Sequence, residues 1–130
     1  MVGLVIVSHS WKIAEGVCDL AMQMASSSAH IVAAGGMEDK EIGTDAVKIM
    51  EAIREANNGD GVVVLADLGS GVMSAEMAME LLEDEDINVQ LADAPIVEGA
   101  IAAAVEASCG GDMDAVLQAA EGARSVKKLG

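Results

Sequence analysis

His9 stands one residue beyond the end of an apolar run, Val2-Gly3-Leu4-Val5-Ile6-Val7, and precedes a helical stripe that begins near Ser10. An imidazole at the carboxyl end of a buried strand lies where open α/β sheets gather ligands, facing the amino ends of the following helices. There it can act as base, metal ligand or phosphoryl acceptor, or it can cap the strand as a satisfied turn histidine. Asp67 stands at the end of a second apolar run, residues 61–66. Parallel strands share one carboxyl edge, so the two side chains become neighbours although they are far apart in sequence. An acid so placed accepts a hydrogen bond from one imidazole nitrogen, fixes the tautomer and leaves the other nitrogen bare for attack. It also stabilises positive charge that develops on the ring. The plainer reading is an aspartate that starts a loop.

The Gly35-Gly36 turn, the Gly69-Ser70 turn after Asp67 and the Asp93 turn are expected on the same edge. Glycine lets backbone N–H groups approach a phosphoryl group closely, and helix amino ends carry positive charge worth about 0.3–1 kcal/mol to an anion. Ser70 and Thr44 add hydroxyl donors, and Lys12 is the cation placed closest to His9. The segment from Gly69 to Ser74 lacks the last glycine of a dinucleotide fingerprint, and no G-x-x-x-x-G-K-[ST] occurs. His30 belongs to the opposite pole, where a satisfied surface histidine is expected. Residues 83–86 lack the spacing of a calcium loop, and no Cys/His cluster has zinc spacing, so no metal is expected.

The elements that must position these residues alternate. After the first strand, Ala14, Val17, Cys18, Ala21, Met24 and Ala25 recur at helical spacing, with Ser10 as N-cap. Residues 29–34 form a strand, and Thr44 is expected to cap a helix with Val47, Met50 and Ile53 inward. Residues 61–66 lack polar alternation and predict a central strand covered on both faces. A third helix would carry Met73, Met77, Ala78, Leu81 and Leu82 inward, and residues 87–92 a fourth strand. Pro95 would start a helix with Val97, Ile101, Ala104, Val105 and Ser108 on one face, and Asp112 cap the last. The methionines at helical spacing are read as core. Alternation with short connections implies an α/β fold, a doubly wound, mostly parallel sheet with helices on both faces. A single domain over residues 1–124 and a basic tail over 125–130 are expected.

Composition narrows the partners. The 130 residues carry a formal charge of −15, which disfavours nucleic acid and anionic membrane and favours a protein with a basic docking face. Cys18 and Cys109 suit buried thiols in a reducing compartment, and the apolar amino terminus is too short for a signal peptide or a span, so a cytoplasmic protein is expected.

The segments Val5-Ile6-Val7-Ser8-His9-Ser10, Ala34-Gly35-Gly36 leading to Ile42-Gly43-Thr44, and Val64-Leu65-Ala66-Asp67-Leu68-Gly69-Ser70 together carry a resemblance. Over nearly its whole length the sequence resembles the phosphotransferase subunits of bacterial dihydroxyacetone kinases that draw phosphate from the phosphoenolpyruvate:sugar phosphotransferase system. The resemblance implies the fold of mannose-type enzyme IIA domains, which are homodimers. It implies that His9 is phosphorylated by the carrier HPr and that Asp67 orients it. Ser10, Gly35, Gly36, Gly43, Thr44, Gly69 and Ser70 would border the phosphoryl group. The recipient would be ADP held with Mg²⁺ on the kinase's nucleotide-binding subunit. This chain would bind no cofactor and carry its phosphate covalently.

Some relatives continue into further carrier-like domains; the chain ends before them, so separate HPr is expected. Met37 and Asp45 stand where small hydroxyl residues would be expected from the resemblance. Alanine-rich faces on the helices after Pro95 and Asp112 are the expected dimer surface. The alternatives are a transporter IIA domain that passes phosphate to IIB, a regulatory phosphate receiver, and a binding module that does no chemistry.

Overall fold

The computed structural model describes residues 1–130. Four parallel strands, β1 (Gly3–Ser8), β2 (Ile31–Gly35), β3 (Val62–Ala66) and β4 (Val89–Leu91), are ordered β2-β1-β3-β4. Five helices join and cover them: α1 (Trp11–Met24), α2 (Ala46–Ala56), α3 (Gly69–Leu81), α4 (Ile96–Ser108) and α5 (Met113–Gly122). The chain leaves β1 to one side for β2 and returns to the other side for β3. The crevice where the winding direction reverses therefore opens between the carboxyl ends of β1 and β3.

β1 and β3 are buried along their whole length, as strands covered on both faces must be. Successive side chains point to opposite faces. Leu4 and Ile6 of β1, with Val63 and Leu65 of β3, pack under α1, α4 and α5. Val5 and Val7, with Val62 and Val64, pack under α2 and α3. Most of the bulky side chains come from the strands; α3 and α4 meet them with alanine and glycine, while α2 contributes Ile49 and Ile53. Gly99 shows how tight the fit is, since a Cβ there would lie 2.9 Å from both Ala94 Cβ and Leu65 Cδ2.

That division of volume corrects several expected helix faces. In α3 the buried set is Gly71, Ala75 and Ala78, while Met73, Met77 and Leu81 are 70%, 56% and 52% exposed. A helix apolar on both sides presents two candidate stripes, and valine-filled strands leave room only for the small one. In α4 the inward residues are Gly99, Ala100, Ala103, Ala104 and Ala107, and in α2 Ile49, Ala52, Ile53 and Ala56 with Val47 exposed. Ala100, Ala103, Ala104 and Ala107 of α4 are consumed inside the chain and are not free to form a dimer surface. The cap of α2 is Asp45, whose carboxylate accepts from the Val47 and Lys48 amides, and not Thr44. Pro95 is the cap residue of α4 rather than its first helical residue. Cys18 is buried as expected, but Cys109 is exposed. In the expected tail, Lys128 pairs with Glu98 at 2.9 Å. No helix is long and apolar enough to cross a membrane.

Candidate functional site

The register of β1 against β3 pairs Val7 with Ala66, so the next residues of both strands emerge together into the reversal crevice. The Asp67 amide donates to the Val7 carbonyl at 3.1 Å, which extends the ladder by one bond and fixes where the aspartate leaves the sheet. His9 Nδ1–H donates to Asp67 Oδ1 at 2.9 Å. The His9 amide donates to Oδ2 at 3.0 Å and the Leu68 amide to Oδ1 at 2.7 Å. Ser8 Oγ–H supplies a fourth donor to Oδ2 at 2.9 Å.

Burial pushes the Asp67 carboxyl up, but hydrogen bonds from the His9 amide and ring, the Ser8 hydroxyl and the Leu68 amide outweigh it. Together they hold the group below the usual carboxylate range. Asp67 is thus an anion that accepts only, and Nδ1 carries the ring proton opposite it. Nε2 is left with its lone pair and faces the Ser70 hydroxyl, which donates to it. The His9 side chain is 21% exposed, enough for a reacting group to reach Nε2.

α3 begins beside this nitrogen. Leu68 provides no side-chain cap, so the first amides of α3, at Gly69 and Ser70, remain available to an anion. Space is open where a Cβ of Gly69 would point. Gly71 is the point of closest approach: a Cβ there would lie 3.1 Å from Asp67 Oδ1 and 3.7 Å from His9 Cε1. A cavity of about 340 Å³, lined in part by Asp67, Leu68, Gly69 and Val72, opens beside the dyad. The larger concavity along α3, lined by Glu76, Met79, Glu80 and Glu83, holds no nucleophile or base suited to the chemistry.

The expected site residues divide into those that meet and those that support. His9, Asp67, Ser70 and Gly69 converge. Gly43 donates its amide to the His9 carbonyl at 2.9 Å and so holds the loop after β2 against the site. Thr44 spends its hydroxyl on Ser74 Oγ at 2.6 Å, which ties that loop to α3. Ser10 caps α1, accepting from the Ile13 amide at 3.4 Å. Gly35 has a packing reason to be glycine, because a Cβ would lie 2.6 Å from Trp11 Cα and from Ala14 Cβ. Gly36 takes a left-handed φ of 72° and donates to the Ser8 carbonyl at 3.1 Å.

Lys12 is exposed and Lys48 is the lysine that reaches this edge, its ammonium donating to the Gly35 carbonyl at 3.0 Å. Sequence reasoning gave no role to Ser8, Gly71 or Lys48. For Ser8 a signal existed, namely a hydroxyl at the last position of an otherwise apolar strand. His30 lies exposed at the opposite pole, before β2.

Comparison with known proteins agrees with this fold. The family model for the PTS system fructose IIA component matches residues 3–117. A PEP-dependent dihydroxyacetone kinase phosphoryl donor subunit of Escherichia coli is 51% identical over 90% of this chain, which spans 26% of that relative's length. The corresponding subunit of a second dihydroxyacetone kinase in Listeria innocua is 39% identical, with 91% of this chain matched to 95% of the relative. Among solved structures, a protein of unknown function, EF1359, superposes with a TM-score of 0.86 at 36% identity, covering 98% of both chains. A phosphotransferase system EIIA component from Streptococcus agalactiae has the same fold, with a TM-score of 0.71 at 15% identity over 99% of this chain and 98% of that one. A parallel sheet of this order, a histidine and an aspartate at its reversal point, and matches of this extent together place the chain in the mannose-type EIIA family of phosphotransferase system components.

Proposed function

We propose that the chain is a phosphoryl carrier that accepts phosphate from HPr on His9 Nε2 and passes it to ADP on a dihydroxyacetone kinase nucleotide-binding subunit. The observation that carries this reading is the division of labour on one imidazole. Nδ1–H is held by a carboxylate, while Nε2 is bare, reachable and next to hydroxyl and amide donors. The Nε2 lone pair attacks phosphorus as the bond from phosphorus to the donor breaks, and the donor departs with that electron pair. The ring then carries positive charge, which Asp67 offsets without taking the proton. Ser70 and the first amides of α3 are suited to receive the phosphoryl oxygens, so the serine hydroxyl must turn from Nε2 to oxygen on transfer. Discharge reverses these steps toward the β-phosphate of ADP, with Mg²⁺ supplied by the partner. In-line placement and charge neutralisation there supply the remaining catalysis.

The relatives named as dihydroxyacetone kinase donor subunits support this recipient. The family model is itself described by a sugar-transport component, which supports a IIA domain handing phosphate to IIB as the second reading. Discharge of the phosphorylated chain separates them. Transfer to the ADP-loaded kinase subunit supports the first; transfer to a IIB protein alone replaces it.

A homodimer belongs to the same proposal, and α3 offers the surface for it. Met73, Met77 and Leu81 recur every fourth residue on its outer face and stay exposed in the single chain. Met77→Glu should shift the chain to monomer in light scattering. A wild-type monomer at micromolar concentration would remove the dimer from the proposal.

A further inference from the structure

Ser8 is the one polar residue among the fully buried side chains, with no exposed surface at all. It ends β1, where alanine or valine would continue the core without the cost of burying a hydroxyl. Its bonding is directional. Oγ accepts from the Ser10 amide at 3.1 Å, and its own proton goes to Asp67 Oδ2 at 2.9 Å. Of the four donors on the carboxylate, two belong to His9 and one to Leu68, the residue next to Asp67. Ser8 alone anchors the carboxylate to a side chain outside the His9 and Asp67–Leu68 segment. A terminal carboxylate torsion is otherwise soft. Without this bond, Oδ2 keeps only the His9 amide, and three donors rather than four hold the plane of the carboxylate against Nδ1.

We propose that Ser8 is a positioning residue for the transfer: its buried hydroxyl fixes the Asp67 carboxylate in the orientation that holds His9 as the Nδ1–H tautomer with Nε2 bare. The proposal rests on His9 as the phosphoryl acceptor, and it has a readout that does not depend on phosphorylation. In ¹⁵N spectra at alkaline pH, where the imidazole is neutral, the wild-type ring should show the Nδ1–H tautomer almost alone. Ser8→Ala should raise the Nε2–H fraction measurably while the fold, followed by circular dichroism, is kept.

The same variant should slow phosphorylation by HPr roughly ten-fold, the scale set by losing one hydrogen bond to a charged group. Because Ser8 acts through the carboxylate, Ser8→Ala should change the rate less than about two-fold in an Asp67→Asn background, as coupled residues do in a double-mutant cycle. If Ser8→Ala fails to fold, Ser8→Cys, which keeps a weaker donor, is measured instead and should show the same tautomer shift and coupling at reduced size. An unchanged tautomer ratio, or an equal slowing in both backgrounds, overturns the proposal. Absence of any phosphate on wild-type His9 would overturn the function and with it a role in transfer, while an intact tautomer shift would show that Ser8 still sets the His9 tautomer through Asp67.

Discussion

Asp67→Asn tests the electrostatics of the dyad because it changes charge and donor count with little change of shape. The carboxylate accepts four hydrogen bonds, two at each oxygen. An amide has one oxygen and one NH₂ group. Whichever way it turns, two donors that faced an acceptor now face a donor. If the oxygen stays toward Nδ1, the ring tautomer survives and only the charge is lost. A unit charge about 4 Å away at an effective dielectric of about 20 is worth about 4 kcal/mol. Half to all of a unit charge on the ring in the transition state then costs about 2–4 kcal/mol, a slowing of roughly 30- to 1,000-fold.

Rapid-quench measurement of His9 phosphorylation by a phosphorylated donor, at saturating donor, reads this loss as a fall in the maximal rate. The phosphate should stay on His9. A rate within about three-fold of wild type would refute the claim that Asp67 stabilises charge on the ring, since the charge alone is worth about 2–4 kcal/mol.

Other consequences follow from the same contacts. Gly71→Ala places a methyl 3.1 Å from Asp67 Oδ1 and should slow phosphorylation while α3 remains helical by circular dichroism; a wild-type rate would show that the carboxylate yields without consequence. Asp67 titrates below its unfolded value of about 3.9, so its contribution to stability is complete above that pH and disappears as pH falls through the folded value. The stability gap between wild type and Asp67→Asn, from urea unfolding, should therefore shrink as pH drops below about 4; a gap independent of pH contradicts this. Burial, with Glu15 and Asp19 nearby, pushes the Cys18 thiol up to about 12, whereas Cys109 is exposed, so a thiol reagent should label Cys109 alone until the chain unfolds. Labelling of Cys18 in the native state would show that α1 opens.

The strands and the edge they share were legible because a run such as residues 61–66 has one physical reading, a strand covered on both faces. From that, the meeting of His9 with Asp67 follows by topology. The inward faces of α2, α3 and α4 were legible only in part: Ile53, Ala78, Leu82 and Ala104 are buried as their spacing implies, whereas Val47, Met73, Met77, Leu81 and Val105 are exposed. Met73 and Met77 at helical spacing satisfy the same pattern as Gly71, Ala75 and Ala78, and only the volume already filled by the valines of β1 and β3 decides between them. Thr44 and Asp45 are both good caps by type, and the choice rests on where the loop after β2 is pinned by the Gly43 amide. Gly35 reads as a turn glycine that lets the backbone approach a phosphoryl group, yet it is glycine because α1 comes too close for a Cβ; at Gly71 the fit against Asp67 is tight. The role of Ser8 was not legible, because a small polar residue at a strand end is common and its bond to Asp67 depends on the register of two strands.

The central claim is that His9 Nε2 is the phosphoryl acceptor. It is tested most directly by incubating the chain with enzyme I, HPr and phosphoenolpyruvate and locating the acid-labile phosphate by ³¹P and ¹⁵N spectroscopy on histidine-labelled protein. The expected result is one phosphate per chain, bonded to Nε2 of His9, with Nδ1 still protonated toward Asp67. Phosphate on Nδ1, on His30 or on a serine, or none at all, would contradict it.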